Sequence, residues 1–362
     1  MMIKLSPKVL GFEDIQTPFV GVVVARKSII PRNEIVELVA TEQLDKFQVD
    51  NRTITFDVND ISVGEILIFF PNNSVANRFF RPAEKSNTIL ITERCDQYCQ
   101  MCSQPPKSKD YLHWDLYEKA IELFPVNAVV GISGGEPTIY KNELFNFISK
   151  VLMSRPDIEF HILTNAQHFN SGDLNNLSKL RENIVWGIPI YAASSEIHDE
   201  IVGKKGAYES LFESLSCLLE SEARVELRTV VLKDNMSQMP KLAKYIGRYF
   251  QWVEVWSIMQ LEKIGFAKIG WELKFEDTSL FFDFIEDALM IAKACGINAQ
   301  LFNFPICTVP KEYQALCVDS ISDWKKRYLT ACDSCSAKTT CCGFFEWYNE
   351  SDGFKNIKGM KA

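Results

Sequence analysis

From Thr88 onward the chain alternates short apolar runs with amphipathic stretches of helical period, and this alternation narrows its possible folds more than any other feature. Candidate strands fall at 88–92, 127–132, 158–163, 184–190, 224–231 and 252–258. Helical stretches lie between and after them, at about 115–124, 142–152, 173–180, 207–221, 237–249 and 279–294. Strands separated by single helices predict a parallel sheet wound with right-handed crossovers. Six such units fall short of the eight in a closed barrel. The expected class is therefore α/β, a partial (β/α)6 TIM-type barrel over residues 86–303. In folds of this kind chemistry collects where the strands end.

Residues 1–85 form a different zone. Short β-branched runs (Val20–Val24, Thr53–Val58, Ile66–Phe70) alternate with turn signals such as Asp50-Asn51 and Pro71-Asn72-Asn73, which predicts a small β-rich domain. Its exposed strand edges could dock an extended peptide by β-augmentation or serve a partner. Residues 304–362 are irregular and Cys-rich and read as an appended extension. The net charge of −8 argues against electrostatic capture of nucleic acid or of an anionic membrane face. No apolar run approaches the ~20 residues of a membrane span, and the N-terminus lacks the pattern of an export signal.

The chain has eleven cysteines, nine of them within 95–102 and 307–342. An odd count in a long chain without an export signal does not suggest a disulfide framework. It suits metal ligation in a reducing cytoplasm. Cys217 and Cys295 lie outside both groups and read as small packed thiols.

Cys95, Cys99 and Cys102 follow directly on the first strand of the repeating region. Three thiolates in a CxxxCxxC loop can ligate three irons of a cubane and leave the fourth open to an exogenous chelator. A zinc site is the plainer alternative, although paired CxxC spacing is what a zinc ribbon uses. Ser133-Gly134-Gly135-Glu136-Pro137 follows the second strand; paired glycines allow close backbone approach, and Glu136 adds an acceptor. A simple strand-to-helix turn with Pro137 at an early helical position would read the same way.

CxxxCxxC with an aromatic before its second Cys, here Tyr98, together with Gly134-Gly135-Glu136-Pro137, resembles the radical S-adenosylmethionine (SAM) superfamily. The resemblance implies a [4Fe-4S] cluster on Cys95, Cys99 and Cys102, with SAM as its partner. It places Tyr98 near the adenine and Gly134–Pro137 at the methionyl ammonium. Thr164 and Asn165 at the third strand end, Ser194 after the fourth strand, and Arg228 on the fifth are further candidate SAM contacts. A sheet-facing ion pair with Glu226 is the alternative for Arg228, and a structural role is the alternative for His198. Gly203-Lys204-Lys205-Gly206 does not have phosphate-loop spacing.

The second Cys group offers Cys332-x-x-Cys335 as a chelating pair, with Cys341 or Cys342 as a third thiolate and Cys307 or Cys317 as a fourth. Such a set suits structural zinc or an auxiliary Fe–S cluster. The strings Cys102-Ser-Gln-Pro-Pro-Lys107, Leu261–Lys268, Ser320-Ile-Ser-Asp-Trp-Lys325 and Cys341-Cys-Gly-Phe-Phe345 resemble the C-type maturases of the His-Xaa-Ser peptide system. That resemblance matches Cys307, Cys332, Cys335 and Cys341 to auxiliary [4Fe-4S] ligands, with Cys317 and Cys342 as alternates. It implies reductive cleavage of SAM to a 5′-deoxyadenosyl radical and oxidative modification of a precursor peptide, including crosslinking. The implied partners are that peptide, a second maturase, and an electron donor such as flavodoxin or ferredoxin. Two other readings stay open: a radical SAM enzyme for a small molecule or nucleoside, and a non-catalytic Fe–S or zinc protein.

Overall fold

The computed structural model describes residues 5–27 and 35–361. The first seven strands are β1 (Val9–Leu10), β2 (Phe19–Val24), β3 (Ile35–Ala40), β4 (Lys46–Val49), β5 (Arg52–Phe56), β6 (Ile66–Phe70) and β7 (Val75–Phe80). They form one sheet in the order β1-β5-β4-β3-β2-β6-β7, antiparallel except for the β2–β3 pair. The Asp50-Asn51 turn joins β4 to β5, with Asp50 at φ +50°. The sheet closes on itself: Lys8 bridges Val75, Ala76 N donates to Pro7 O (3.1 Å), and Arg78 N donates to Leu5 O (2.9 Å). Both end strands are thereby paired, and the free ends expected for strand addition are not present among the described residues.

Period-two alternation lets β6 serve two cores. Leu67 and Phe69 point into the closed sheet beside Leu38, Phe47 and Ile54. Ile66 and Ile68 point the other way, with Val20 and Val22, into the main core of the molecule. The helix Trp114–Ile121 lies at this junction, where Tyr117 stacks on Phe79 at 5.5 Å.

The second sheet contains β8 (Thr88–Leu90), β9 (Val129–Ser133), β10 (Glu159–Leu163), β11 (Ile184–Pro189), β12 (Arg224–Val230), β13 (Val255–Met259), β14 (Ala299–Phe302) and β15 (Cys317–Val318). Neighbours in sequence are neighbours in space, and every pair is parallel. The six expected strands are the first six of this sheet, and β14 and β15 extend it. Helices Lys141–Ser154, Leu174–Leu180, Ala207–Glu220, Met239–Tyr249 and Asp283–Ala294 follow successive strands. On β10, Phe160 and Ile162 are fully buried in the main core, Phe160 against Phe147 of the preceding helix Lys141–Ser154. His161 and Leu163 take the opposite, lumen-facing side.

Cys295 packs beside Gly247, where a Cβ would come within 2.5 Å of its sulfur. Cys217 is half-buried on the helix Ala207–Glu220 against the same core. Both behave as packing groups. The last strands, β16 (Lys326–Arg327) and β17 (Phe344–Phe345), pair antiparallel in the C-terminal extension. Arg81 binds Asp323 through two hydrogen bonds of 2.7 and 2.8 Å, and Lys85 pairs with Asp319 at 2.8 Å. The segment before β8 is therefore tied to the extension. No helix among the described residues is long and apolar enough to cross a membrane.

Candidate functional site

The loop carrying Cys95, Cys99 and Cys102 leaves the C-terminal end of β8, and all three thiols are half-buried and free. Its backbone is braced from two distant segments. Tyr98 N and Gln100 N donate to the carbonyls of Val202 and Ile201, both at 2.9 Å. On the other side Phe266 N donates to Cys102 O at 2.9 Å, and Lys274 Nζ donates to Gln100 O at 3.2 Å. Two glycines make these approaches possible. A Cβ at Gly203 (φ +65°) would lie 2.8 Å from Tyr98 O, and one at Gly265 (φ +56°) would lie 2.1 Å from Cys102 O. Both positions also require the left-handed backbone that glycine adopts without strain.

Gly134 and Gly135 serve the same loop. A Cβ at Gly135 would fall 2.1 Å from Arg94 O, and one at Gly134 would fall 2.6 Å from Thr92 O. Gly135 N and Glu136 N donate to those two carbonyls, Thr92 O and Arg94 O, at 2.7 Å each. The close approach expected of this turn is thus to the strand entering the Cys loop. Pro137 opens the short 3-10 helix Pro137–Tyr140, with Glu136 as its N-cap.

Glu136 is fully buried. Its carboxylate accepts from Thr138 N (2.8 Å), from the Thr138 and Thr164 hydroxyls, and from Asn165 N. Burial raises its proton affinity against these lowering hydrogen bonds. Thr164 and Asn165 are therefore positioned by Glu136. The Asn165 amide reaches back to Asp96 Oδ1 at 2.7 Å and lies 3.9 Å from Cys95 Sγ. Asp96 also pairs with Lys204 at 2.5 Å and faces His168 at 3.6 Å. Burial would raise the Asp96 carboxyl, but the nearby His168 imidazole and hydrogen bonds from Lys204 and Asn165 hold it well below the usual range.

Tyr98 is 60% exposed, a large aromatic ring on the open side of the loop. Ser194 precedes the helix Ser195–Val202 in extended conformation and makes no side-chain capping bond. His198 is buried and receives Tyr191 N at 3.4 Å on Nδ1; burial lowers its proton affinity to about 4. A structural role suits it. Asp199 accepts from Gly206 N (2.6 Å) and Tyr208 N (2.9 Å) at the start of the helix Ala207–Glu220.

Arg228 donates to both oxygens of Glu226 at 2.8 and 3.0 Å, so its guanidinium is engaged by an internal acid. Glu226 also contacts His161 Nε2 at 2.6 Å. Burial would raise the Glu226 carboxyl, but Arg228 and His161 hold it at about 2. These groups share the lumen side of β10 and β12 around Gly187, where a Cβ would meet Leu163, Arg228 and His161 at 2.7–3.3 Å. Sequence reasoning anticipated the Arg228–Glu226 pair and missed His161, Asp96, His168, Gly203, Lys204 and Gly265.

The Cys loop suits a cluster that brings its own positive charge. Burial, then the neighbouring Glu136 and Asp96 carboxylates, push the Cys95 thiol up to about 12, and burial raises Cys99 and Cys102 as well. Loading must therefore displace protons. No three His, Cys, Asp or Glu side chains among the described residues converge closely enough to hold one metal ion. A cubane asks for thiols distributed around a larger body, one to each iron.

The second thiol group surrounds a small cavity lined by Cys307, Cys332, Cys335 and Cys341. Cys317 and Cys342 are not in its wall. Cys342 is 1% exposed and packs with Ile321 and Phe345. A hydrogen bond from Cys342 outweighs the raising effect of burial and lowers the Cys341 thiol to about 6. Ile306 N and Gly343 N also donate to Cys341 Sγ, each at 3.4 Å. One apolar cluster, containing Met101, Tyr191, Leu261, Trp271, Phe275 and Phe344, runs from Cys99 to Cys332 and so joins the two thiol groups.

Comparison with known proteins places this geometry. Residues 89–246 match the radical SAM superfamily. Over 179 residues the chain is 24% identical to the antilisterial bacteriocin subtilosin biosynthesis protein AlbA of Bacillus subtilis, covering 48% of this chain and 38% of that one. It is 26% identical over 164 residues to an uncharacterized protein of Archaeoglobus fulgidus, covering 44% and 38%. The chain thus spans well under half the length of these relatives. Among solved structures, Streptococcus suis SuiB bound to precursor peptide SuiA aligns with a TM-score of 0.49 at 18% identity, over 59% of this chain and 48% of that one. Residues 89–246, which carry both the braced cysteine loop and the Gly134–Pro137 turn, are a radical SAM superfamily domain.

Proposed function

We propose that this chain is a peptide maturase of the radical SAM type, acting oxidatively on a ribosomally made His-Xaa-Ser precursor peptide. One observation carries the reading: a four-thiol cavity joined to the Cys95–Cys102 loop by a continuous apolar cluster. An enzyme that only generates radicals has no use for the second group. One that oxidises its substrate needs an acceptor for an electron. The similarity to AlbA, itself a bacteriocin biosynthesis protein, points the same way.

In this proposal Cys95, Cys99 and Cys102 hold a [4Fe-4S] cluster, which when bound supplies an electron to SAM and so a 5′-deoxyadenosyl radical able to take a substrate hydrogen. Cys307, Cys332, Cys335 and Cys341 hold an auxiliary [4Fe-4S] cluster. Tyr98 meets the adenine, and Ser194 supplies a hydroxyl to SAM. The residues of the chain itself orient and exclude water. Asp96, Asn165 and Lys204 fix the loop, Arg228 with Glu226 and His161 forms the polar lumen wall, and the apolar cluster keeps the radical path dry. A flavodoxin or ferredoxin is the proposed reductant, and a second maturase the proposed co-worker on the peptide.

Anaerobic reconstitution with dithionite and SAM should yield 5′-deoxyadenosine, and a co-expressed His-Xaa-Ser peptide should lose two hydrogens per modification by mass spectrometry. No 5′-deoxyadenosine in either condition would sink the enzymatic reading. The Cys95/Cys99/Cys102→Ala protein should keep about four irons. Zinc alone in that protein would reject the auxiliary cluster.

A further inference from the structure

Beside the second thiol group lies a separate pocket, partly open to solvent. Its floor is Gln260 and Leu261, immediately after β13, and Asn303, immediately after β14, so it opens where the strands of the parallel sheet end. Its walls are Trp271, Phe275, Phe344, Phe345, Tyr348 and Phe354. Four of these, Trp271, Phe275, Phe344 and Phe354, belong to the apolar cluster that joins the two thiol groups. The only charged lining side chains, Lys263 and Asp352, form an ion pair with each other. The cavity is thus aromatic and electrically balanced.

Two of its lining residues carry buried polar atoms with no partner among the described residues: the Gln260 side-chain oxygen and the Trp347 indole N–H. Gln260 is only 3% exposed, and its amide orientation is fixed because Nε2 donates to Glu276 O at 2.9 Å. Its free atom is therefore an acceptor, whereas that of Trp347 is a donor. A buried polar atom left unpaired costs roughly 1–3 kcal/mol. One acceptor and one donor in an aromatic cavity whose only charges pair with each other suit a secondary amide attached to a large apolar side chain.

We infer that this cavity binds an aromatic or large aliphatic residue of the substrate peptide, with the adjoining peptide unit donating its N–H to Gln260 and accepting from the Trp347 indole. This inference rests on the peptide reading above and deepens it. It places the anchored residue against the apolar cluster that packs on Cys99 and Cys332, so selection would depend on side-chain bulk and on the backbone.

N-acetyl-fluorophenylalanine amide, followed by fluorine NMR on the full reconstituted chain, tests this directly. Saturable binding is expected, with fluorotoluene and N-acetylalanine amide each at least tenfold weaker. Gln260→Leu and Trp347→Phe should each weaken the amide probe about five- to tenfold and leave the weak fluorotoluene signal where it was. Unfolding midpoints would show that both variants are folded. If fluorotoluene binds as tightly as the amide, or if both folded variants bind the amide normally, the inference is overturned. The peptide reading can fail separately. Probe binding without modification of any His-Xaa-Ser precursor would retain the pocket and reject that substrate. A precursor modified by both variants with unchanged KM would retain the substrate and reject the pocket.

Discussion

At the scale of single residues, the cysteine loop depends on what is missing from its neighbours. Gly265 lacks the Cβ that would fall on Cys102 O, and its φ of +56° is left-handed. Gly265→Ala should therefore cost at least the roughly 1–2 kcal/mol of a left-handed alanine, plus displacement of the loop. A lower unfolding midpoint and a lower iron content after reconstitution are the readouts. The lumen acid behaves differently. Glu226 is held at about 2 against an ordinary 4.5, so its charge-dependent stabilisation is complete above 4.5 and is lost as the pH falls from there towards 2. Arg228→Met removes the main compensating charge and leaves a buried carboxylate, which should cost about 3–5 kcal/mol in chemical denaturation. Arg228→Met with Glu226→Gln should recover much of that loss.

Elements explain which parts of this arrangement can be read in a sequence. Strands β9 to β13, five to seven residues each, and the six helices that flank them stand out because each is long enough for its period to show, while β8 is marked by the apolar run Ile89–Ile91 just ahead of the cysteine loop. Strands β14 and β15 do not, because four and two residues carry no period. The helix Ser195–Val202 buries only His198, Ile201 and Val202, too few positions to announce a face. Its neighbour begins with a borrowed cap: Asp199, nine residues before Tyr208, accepts from Gly206 N and Tyr208 N at the start of the helix Ala207–Glu220. Asp199→Ala should cost about 1–2 kcal/mol of stability, measurable by urea unfolding, and should loosen Tyr98 through Val202. At the site itself, the thiols and the Gly134–Pro137 turn were legible because they are local strings. The braces at Gly203, Lys204 and Gly265 were not, because they reach the loop only through tertiary folding. Likewise Arg228 could be assigned either a ligand or Glu226 from sequence: their two-residue spacing puts both on one face of β12, and the folded side-chain geometry brings the guanidinium onto the acid.

For the molecule as a whole, the ties at Arg81–Asp323 and Lys85–Asp319 join the end of the closed sheet to the segment that leads into Cys332. Hydrogen bonds from Arg81 hold the Asp323 carboxyl at about 2, below its ordinary 3.8. The tie is intact above 3.8 and weakens as the pH drops towards 2. Arg81→Met should expose the 319–345 segment to limited proteolysis at neutral pH while the parallel sheet remains protected. Cleavage within the sheet at the same rate would show that the tie does not act on the extension.

The two braces of the cysteine loop also set a timetable. Gln100 is held by Lys274, a separation of 174 residues, and Cys102 by Phe266. While the chain is being synthesised, the three thiols emerge well before either partner exists. During that interval they have neither the burial nor the geometry of the finished loop. If the loop holds the proposed cluster, its delivery belongs after translation, to a chain complete at least through residue 274.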